Sequence, residues 1–391
     1  MPTAALAFAL TTVSILVPLL LQEHTASGTL TGAVVAGEGL LALVLPIWLG
    51  PWSDRTRTRF GPRLPFVIAG APIAIAALVA LPFADSLLAY AAFALLFYCG
   101  FYLYYSPYRA LFPDLVPPER LGRSQGVQTV FREIGLGLAL TGSPLLLAVW
   151  RPLPFLLCAA TLAVVTVVFV KRMQAYVTTS SNHPDLPRLE APTLRALLRE
   201  RPEMTRVLVA NSLWEFSLTA LRTFVVLFIV TGLGHAPEAA SGLMAMIAVI
   251  ALLAAPIAGT LADRLGTIRV IRTALLAFGV GLLLPAVTQS IPVLLAAMPV
   301  VGFAGAVAMT LPFALVAQLL PRRSSGAGAG LFDFSRGLGA LLGPVVTGAT
   351  IDLLRPYFGE TEGYAAMWPV IAVAVLSSIL FLPTRPPRSP C

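Results

Sequence analysis

Apolar residues fill the chain in long, nearly unbroken runs, and polar residues are confined to the breaks between them. Each run is long enough for a helix, rising about 1.5 Å per residue, to cross roughly 30 Å of hydrocarbon. Read between polar breaks, the runs predict spans near 3–21, 30–50, 64–83, 87–112, 125–149 and 153–171. A second set follows near 204–231, 238–260, 269–287, 291–320, 326–350 and 365–382. The expected fold class is therefore an all-α integral membrane protein of twelve transmembrane helices. One long polar stretch, 172–203, is broken by Ser180, Ser181, Asn182, Pro184, Pro187 and Pro192. It predicts a cytoplasmic linker between an N-terminal six-helix bundle, 1–171, and a C-terminal one, 204–391. Within it, residues 192–201 have the pattern of a short amphipathic helix on the inner membrane face, held by Arg195, Arg199 and Arg201.

Composition narrows the class. Of 391 residues 58% are hydrophobic and 11% charged, while a soluble domain carries about 25% charged residues. Cys99, Cys158 and Cys391 have no paired spacing, and His24, His183 and His235 are scattered, so no disulfide frame, metal site or cofactor is expected. The net charge of +8 is not a nucleic-acid footprint, because it does not form one soluble basic face. Twenty of the 26 basic residues fall in the even-numbered breaks, the 172–203 segment, the C-terminal tail and the span ends beside them. Arg151 and Arg355 alone occupy the odd-numbered breaks. The balance is +12 on the inner side, −4 on the outer side and zero within the spans. Positive residues in short loops are retained inside, so both termini are expected in the cytoplasm of a multi-pass cell-membrane protein. The chain enters its first span without a charged n-region, so no cleavable signal is expected.

Two internal matches relate the halves. Gly50-Pro51-Trp52-Ser53-Asp54-Arg55 and Gly259-Thr260-Leu261-Ala262-Asp263-Arg264 lie 209 residues apart. Residues 110–117 and 314–321 match at an offset of 204. Repeated halves meeting around a midplane cavity are a recurring construction of secondary transporters.

At these residues the chain resembles the major facilitator superfamily, over nearly its whole length. The run from Gly50 to Arg63, with Asp54 and the cluster Arg55, Arg57, Arg59 and Arg63, is similar to that superfamily's loop between spans two and three. Arg63 to Phe66, with Pro107-Tyr108-Arg109-Ala110-Leu111 and Asp114-Leu115-Val116-Pro117, resembles the glycoside-cation symporters and sucrose-type carriers. The loop has a physical logic of its own. Asp54 is placed to cap the eleventh helix near Ser324 and Ser325, and the arginines are placed to reach Asp114. Asp263 and Arg264 repeat the pattern in the second half. Together they are expected to form a gate that holds in one state and releases in the other. The plainer reading is that these arginines only enforce topology.

Eight charges lie inside predicted spans: Glu38, Arg109, Arg132, Glu133, Glu215, Arg222, Asp333 and Arg336. A charge at mid-helix costs about 2.5–3.5 kcal/mol on insertion scales, so four acids against four bases imply pairing around a wet interior. Asn211, Glu215 and Arg222 share one face of the seventh span, with Trp214 beside it. The resemblance turns the first, fourth, seventh and tenth helices toward substrate, and an amide, a carboxylate and an aromatic suit a polyhydroxylated ligand. The fourth span carries Tyr98, Phe101, Tyr102, Tyr105 and Arg109 as one stripe, in which Tyr102, Tyr105 and Arg109 are candidate contacts and packing is the competing reading. Asp333 and Arg336 sit i, i+3 and are placed to satisfy one another, whereas Arg132 and Glu133 point about 100° apart and call for partners on other helices, Arg109 being a candidate for Glu133.

Glu38 sits mid-span among glycines and alanines. The resembled symporters place a cation site on acidic residues of the second and fourth helices, one turn apart on the second. Here the positions one turn from Glu38 are Val34, Val35, Leu41 and Ala42. A lone carboxylate in apolar surroundings takes up a proton more readily, so a proton rather than sodium is the expected coupling ion, with Glu38, Glu133 and Asp333 as coupling candidates. No catalytic constellation is present, and an enzyme is not expected. The expected function is alternating-access transport of a small polar organic solute, a sugar first, by a monomer in the lipid bilayer. A proton-coupled exporter of amphipathic compounds, suggested by Met244, Met246, Met298 and Met309, and a non-transporting assembly or pigment-handling factor are the alternatives.

Overall fold

The computed structural model describes residues 2–115, 121–179, 202–319 and 325–383, apart from positions 57, 59, 62 and 289. Among them are twelve long helices and no strand. They are α1 (Pro2–Leu21), α2 (Gly28–Arg55), α3 (Leu64–Ala80), α4 (Leu87–Leu115), α5 (Leu121–Val149) and α6 (Leu153–Thr179). The set continues with α7 (Pro202–Leu227), α8 (Pro237–Leu265), α9 (Thr267–Gly281), α10 (Ile291–Leu319), α11 (Ser325–Leu354) and α12 (Met367–Ser378). Ten of them carry a described stretch long and apolar enough to cross a membrane, and α10 carries a shorter apolar stretch, Pro292–Ala308. The expected helix count holds. Several helices outrun their predicted spans: α6 continues past 171 to Thr179, and α2 runs through the Asp54-Arg55 motif. Residues 180–201, with the expected amphipathic helix, lie outside the described residues, as does Arg59.

The helix ends follow local chemistry. Helix α7 opens on Pro202, whose missing N–H costs nothing at a first helical position, followed by Glu203, whose charge suits the positive end of the helix dipole. A π-helical turn, Phe228–Gly232, extends α7 at its other end.

The chain divides into two compact units, 1–26 with 41–188, and 27–40 with 189–391. In the first unit α3 and α4 pack at Gly70 and Gly100, and α1 packs on α5, where Gly135 faces the Ala4 carbonyl. Small residues let backbones approach where lipid supplies no hydrophobic drive between helices. The α1/α5 seam is closed by a neutral bond, Thr12 Oγ1 to Ser143 Oγ at 2.7 Å. Thr3 and Tyr108 join α1 to α4 at 2.8 Å. At the opposite end, Arg151 donates to the Tyr90 hydroxyl and pairs with Glu23 at 2.9 Å. Partial burial pulls the Arg151 guanidinium down, but Tyr90 and Glu23 outweigh it and hold its pKa above the ordinary value.

In the second unit α11 is the central strut. One side packs on α7. Another meets the first half of α2, where Gly28 and Gly348 come into backbone contact. There the Asp352 carboxylate accepts four bonds from the start of α2: Ser27 Oγ at 2.7 Å, Gly28 N at 2.7 Å, Thr29 N at 2.9 Å and Thr29 Oγ1 at 2.6 Å. A helix start has unsatisfied N–H groups and a positive dipole end, so a carboxylate from a neighbouring helix serves as its cap.

Candidate functional site

The site grows from two glycines. A Cβ at Gly339 would lie 2.3 Å from the Ser212 carbonyl oxygen, and one at Gly343 would lie 2.4 Å from that of Phe216. Only glycine allows α7 and α11 to approach so closely, side by side and in the same direction. The approach brings the polar residues one turn away into register. Asn211 Nδ2 donates to Ser335 Oγ at 2.8 Å, and Arg336 Nε donates to Glu215 Oε1 at 2.7 Å.

Glu215 lies about 20 Å, and Arg336 about 16 Å, along its helix from the first residue, at 1.5 Å per residue. Both are deep in 26- and 30-residue helices. The Glu215 side chain is 16% exposed and that of Arg336 37%. A guanidinium at mid-membrane depth is costly in hydrocarbon, and pairing with Glu215 offsets that cost. The pair is neutral as a whole, which lets it persist there. Its charge-assisted bond draws each group to a definite position along the seam.

The other candidates divide. Asn211 and Glu215 meet the same helix, as their shared face implied. Trp214 turns to α12 instead, where its Nε1 donates to Ser378 Oγ at 2.8 Å and the ring is buried. Arg222 is half-buried two turns further along α7. A described partner of Arg336 is Glu215, on another helix; Asp333, the i, i+3 partner expected, lies on α11 with its side chain outside the described residues.

On α4 the aromatic stripe holds together as a column. Phe101 stacks on Tyr105 with centroids 5.2 Å apart and meets Tyr102 edge-on at 5.1 Å. Arg109 places its guanidinium carbon 5.7 Å from the Tyr105 centroid, a cation–π distance. Tyr98 and Phe101 are buried, while Tyr102, Tyr105 and Arg109 keep part of their surface open. Arg132 and Glu133 correct an expectation. They pair with each other at 2.9 Å, both about half exposed, because two long side chains close the gap that their 100° separation opens.

Glu38 is 8% exposed on the half of α2 that belongs with α11. Its neighbour Gly39 lies against the backbone of Ala340 and Leu341. Of the gate residues, Asp54, Asp114 and Asp263 occupy their helices, but their side chains lie outside the described residues. Arg55 and Arg264 are exposed at the ends of α2 and α8. Arg63 donates to Ser53 Oγ and ties the loop to the end of α2. Among the described residues no cluster of histidine, cysteine and acidic side chains is suited to hold a metal ion. Asp352 was missed as a partner for α2, and its only signal was a carboxylate just past the end of the predicted eleventh span.

Two helical units, twelve long helices among the described residues, ten of them with a stretch long and apolar enough to cross a membrane, and an ion pair deep in two of those helices mark a polytopic membrane protein. The chain belongs to the Major Facilitator Superfamily, whose family model matches residues 3–252 and again 207–391. No curated protein matches it in sequence. Its fold is similar to that of a D-xylose-proton symporter, at 15% identity and a TM-score of 0.73, covering 98% of this chain and 96% of that one. It is similar to the nucleoside transporter NupG, at 15% identity and a TM-score of 0.72, covering 97% of each chain. It is also similar to a bacterial homologue of the lysosomal transporter Spinster in an inward-facing, unoccupied conformation, at 15% identity and a TM-score of 0.72, covering 97% of this chain and 92% of the other. The chain is thus a secondary transporter working by alternating access, and not an enzyme.

Proposed function

We propose that this transporter is a proton-coupled carrier of a small polar organic solute, with a sugar as the first candidate. It works as a monomer in a cell membrane with both termini cytoplasmic, as the arginine distribution favours. The observation that carries the reading is the Glu215–Arg336 pair at 2.7 Å, a charged and accessible group at mid-membrane depth. Asn211 beside it supplies an amide, and the α4 column supplies the phenol groups of Tyr102 and Tyr105 with Arg109. These groups suit hydroxyl-rich ligands, since each presents donors or acceptors at an aromatic or charged surface. Trp214 and Arg222, on the same helix α7, complete the proposed set of substrate contacts.

Glu38 is the first candidate for the coupling proton, because it is buried on a helix that packs closely on α11; Glu133 and Asp333 are the others. Asp54, Arg55, Arg59, Arg63, Asp114, Asp263 and Arg264 form the gate at the inner side. The motifs at 63–66, 107–111 and 114–117 support a resemblance to the glycoside-cation symporters and sucrose-type carriers.

The test is uptake of radiolabelled mono- and disaccharides into liposomes holding the purified protein, with and without an inward proton gradient. Uptake should rise at least tenfold with the gradient, and Glu38→Gln should remove the rise while leaving counterflow. Uptake indifferent to the gradient would sink proton coupling. Absence of counterflow with every sugar would remove the sugar.

A further inference from the structure

We infer that the exposed face shared by α9 and α10 binds one anionic phospholipid, with its phosphate on Arg269 and Arg272 and an acyl chain in the groove between the helices. The inference goes beyond the transport reading and does not depend on which solute is carried.

The groove follows from side-chain size. At Gly281 α9 comes against α10 so closely that an added Cβ would lie 2.3 Å from Val301 Cγ2. Ala277 on α9 and Ala297 on α10, each one turn before that contact, are too small to fill the space beside it. What remains is a groove of about 600 Å³, walled by Leu276, Val280 and Val300, all of them more than half exposed. Beyond Arg272 neither helix carries a charge, so this face suits hydrocarbon. From Thr273 to Gly281 the groove runs about 12 Å at 1.5 Å per residue, most of one leaflet's half of the roughly 30 Å core. Thr273 is the polar residue of its lining, and that hydroxyl bonds back to its own helix, at 3.1 Å to the Arg269 carbonyl and 3.0 Å to that of Val270. A hydroxyl-rich solute would give up its bonds to water there and gain none. An acyl chain has none to give up.

The charge sits at one end of the groove. Arg269 precedes Thr273, and Arg272 precedes Leu276, by one helical turn, so both arginines extend the rows that line it. Both are exposed and lie near Thr267, where the membrane-crossing stretch begins, at the level of lipid phosphates. Among the described residues neither arginine pairs with a carboxylate, and Arg272 donates to the Pro383 carbonyl at 3.5 Å. The first turn of α9 has no acidic residue, and its N-cap, Gly266, offers no side chain, so unpaired N–H groups add positive potential at the same level. A guanidinium matches two phosphate oxygens at once, and arginines beside the membrane surface attract anionic headgroups. A choline or ethanolamine headgroup would bring a further cation next to these arginines with no acid to receive it. Charge thus selects an anionic lipid, and the apolar groove selects the lipid over free phosphate.

Native mass spectrometry of the full chain in detergent, with palmitoyl-oleoyl phosphatidylglycerol and the matching phosphatidylcholine supplied in equal amounts, tests the site. The first lipid retained should be phosphatidylglycerol, by at least about tenfold. Replacing both arginines, Arg269→Gln with Arg272→Gln, should abolish that preference, and Arg269→Lys with Arg272→Lys should keep most of it. Ala277→Trp, which fills the groove from an exposed position, should lower phosphatidylglycerol retention by a similar factor. Glycerol phosphate, which has the phosphate without the chains, should not be retained. Equal retention of the two lipids by the unaltered protein overturns the inference, and that measurement requires no variant to fold. So does a preference unmoved by the glutamine pair, which would leave the arginines as topology signals. Glycerol phosphate retained as well as the lipid would remove the groove from the site, and a dimeric protein that excludes the lipid would give the groove to a second copy of the chain.

Discussion

Two seams in this protein are built on the same plan and end differently. In the first unit α1 packs on α5, and in the second α7 packs on α11, each along a backbone-close line set by glycine. The 204-residue offset that aligns 110–117 with 314–321 also aligns Arg132 with Arg336 and Gly135 with Gly339. Yet Arg132 takes its carboxylate from the next residue, Glu133, and its seam is closed by the neutral Thr12–Ser143 bond. Arg336 has glycine at the next position, Gly337, and reaches across the seam to Glu215. In the α1 sequence the residue corresponding to Glu215, by the contacts of Ala4 and Ser212, is Ala7. One repeat thus keeps its charges local, and the other ties two helices together with them.

The largest effect should come from filling the tied seam. Gly339→Leu drives a side chain into the Ser212 backbone, and overpacking of this kind is expected to cost about 3 kcal/mol or more. Folded protein recovered in detergent should fall sharply. Gly137→Leu on α5, where nothing lies within 4 Å of an added Cβ, should be recovered at the ordinary level. Equal losses at both positions would mean that glycine there serves the helix and not the seam.

Next comes the charge across the seam. Arg336→Ala leaves Glu215 unpaired at mid-depth. A cost of about 2 kcal/mol is expected, below the ~3–5 kcal/mol of a fully buried pair because the guanidinium is partly open to water. Reversible unfolding in mixed micelles measures it. The double variant Glu215→Gln with Arg336→Gln should recover most of the loss, since no unpaired charge remains.

A smaller loss is expected at the far end of α11. Asp352→Ala removes the acceptor for four bonds at the start of α2, and loss of a helix cap costs about 1–2 kcal/mol. Asp352→Asn should keep part of it, because an amide oxygen still accepts from N–H groups. Amide exchange of Gly28 and Thr29 reads the effect directly: protection should fall there before it falls elsewhere on α2.

What the sequence revealed follows the same division between local and crossed interactions. Run length and hydropathy carried the helix count, because crossing a bilayer is a property of one segment at a time. Helical spacing carried the shared face of Asn211 and Glu215 and the α4 column, since 3.6 residues per turn fixes both. Partners across a seam were not legible. That Arg336 meets Glu215 on another helix depends on how far two helices are rotated and slid, which glycines at 339 and 343 decide only once packed. Trp214 lies beside the Glu215 face as expected, but its indole turned to Ser378, a residue 164 positions away. The Arg132–Glu133 pair was missed for a different reason. The 100° between adjacent helix positions separates Cβ atoms, and it does not separate the ends of side chains as long as these.

The smallest effect is the one that tests the comparison most directly. Arg132→Gln removes the aligned arginine from a pair that is local and about half exposed, 49% on the arginine and 47% on the glutamate. Exposed pairs contribute about 0–1 kcal/mol, so unfolding in mixed micelles should shift by less than about 0.5 kcal/mol. The same measurement on Thr12→Val, which breaks the neutral bond that does close this seam, should show about 1 kcal/mol. If Arg132→Gln instead costs as much as Arg336→Ala, the first seam is also held by charge, and the two repeats differ in partner but not in kind. A near-zero value leaves Arg132 and Glu133 as a solvated pair, and places the charge-dependent contact between helices on α7 and α11 alone of these two seams.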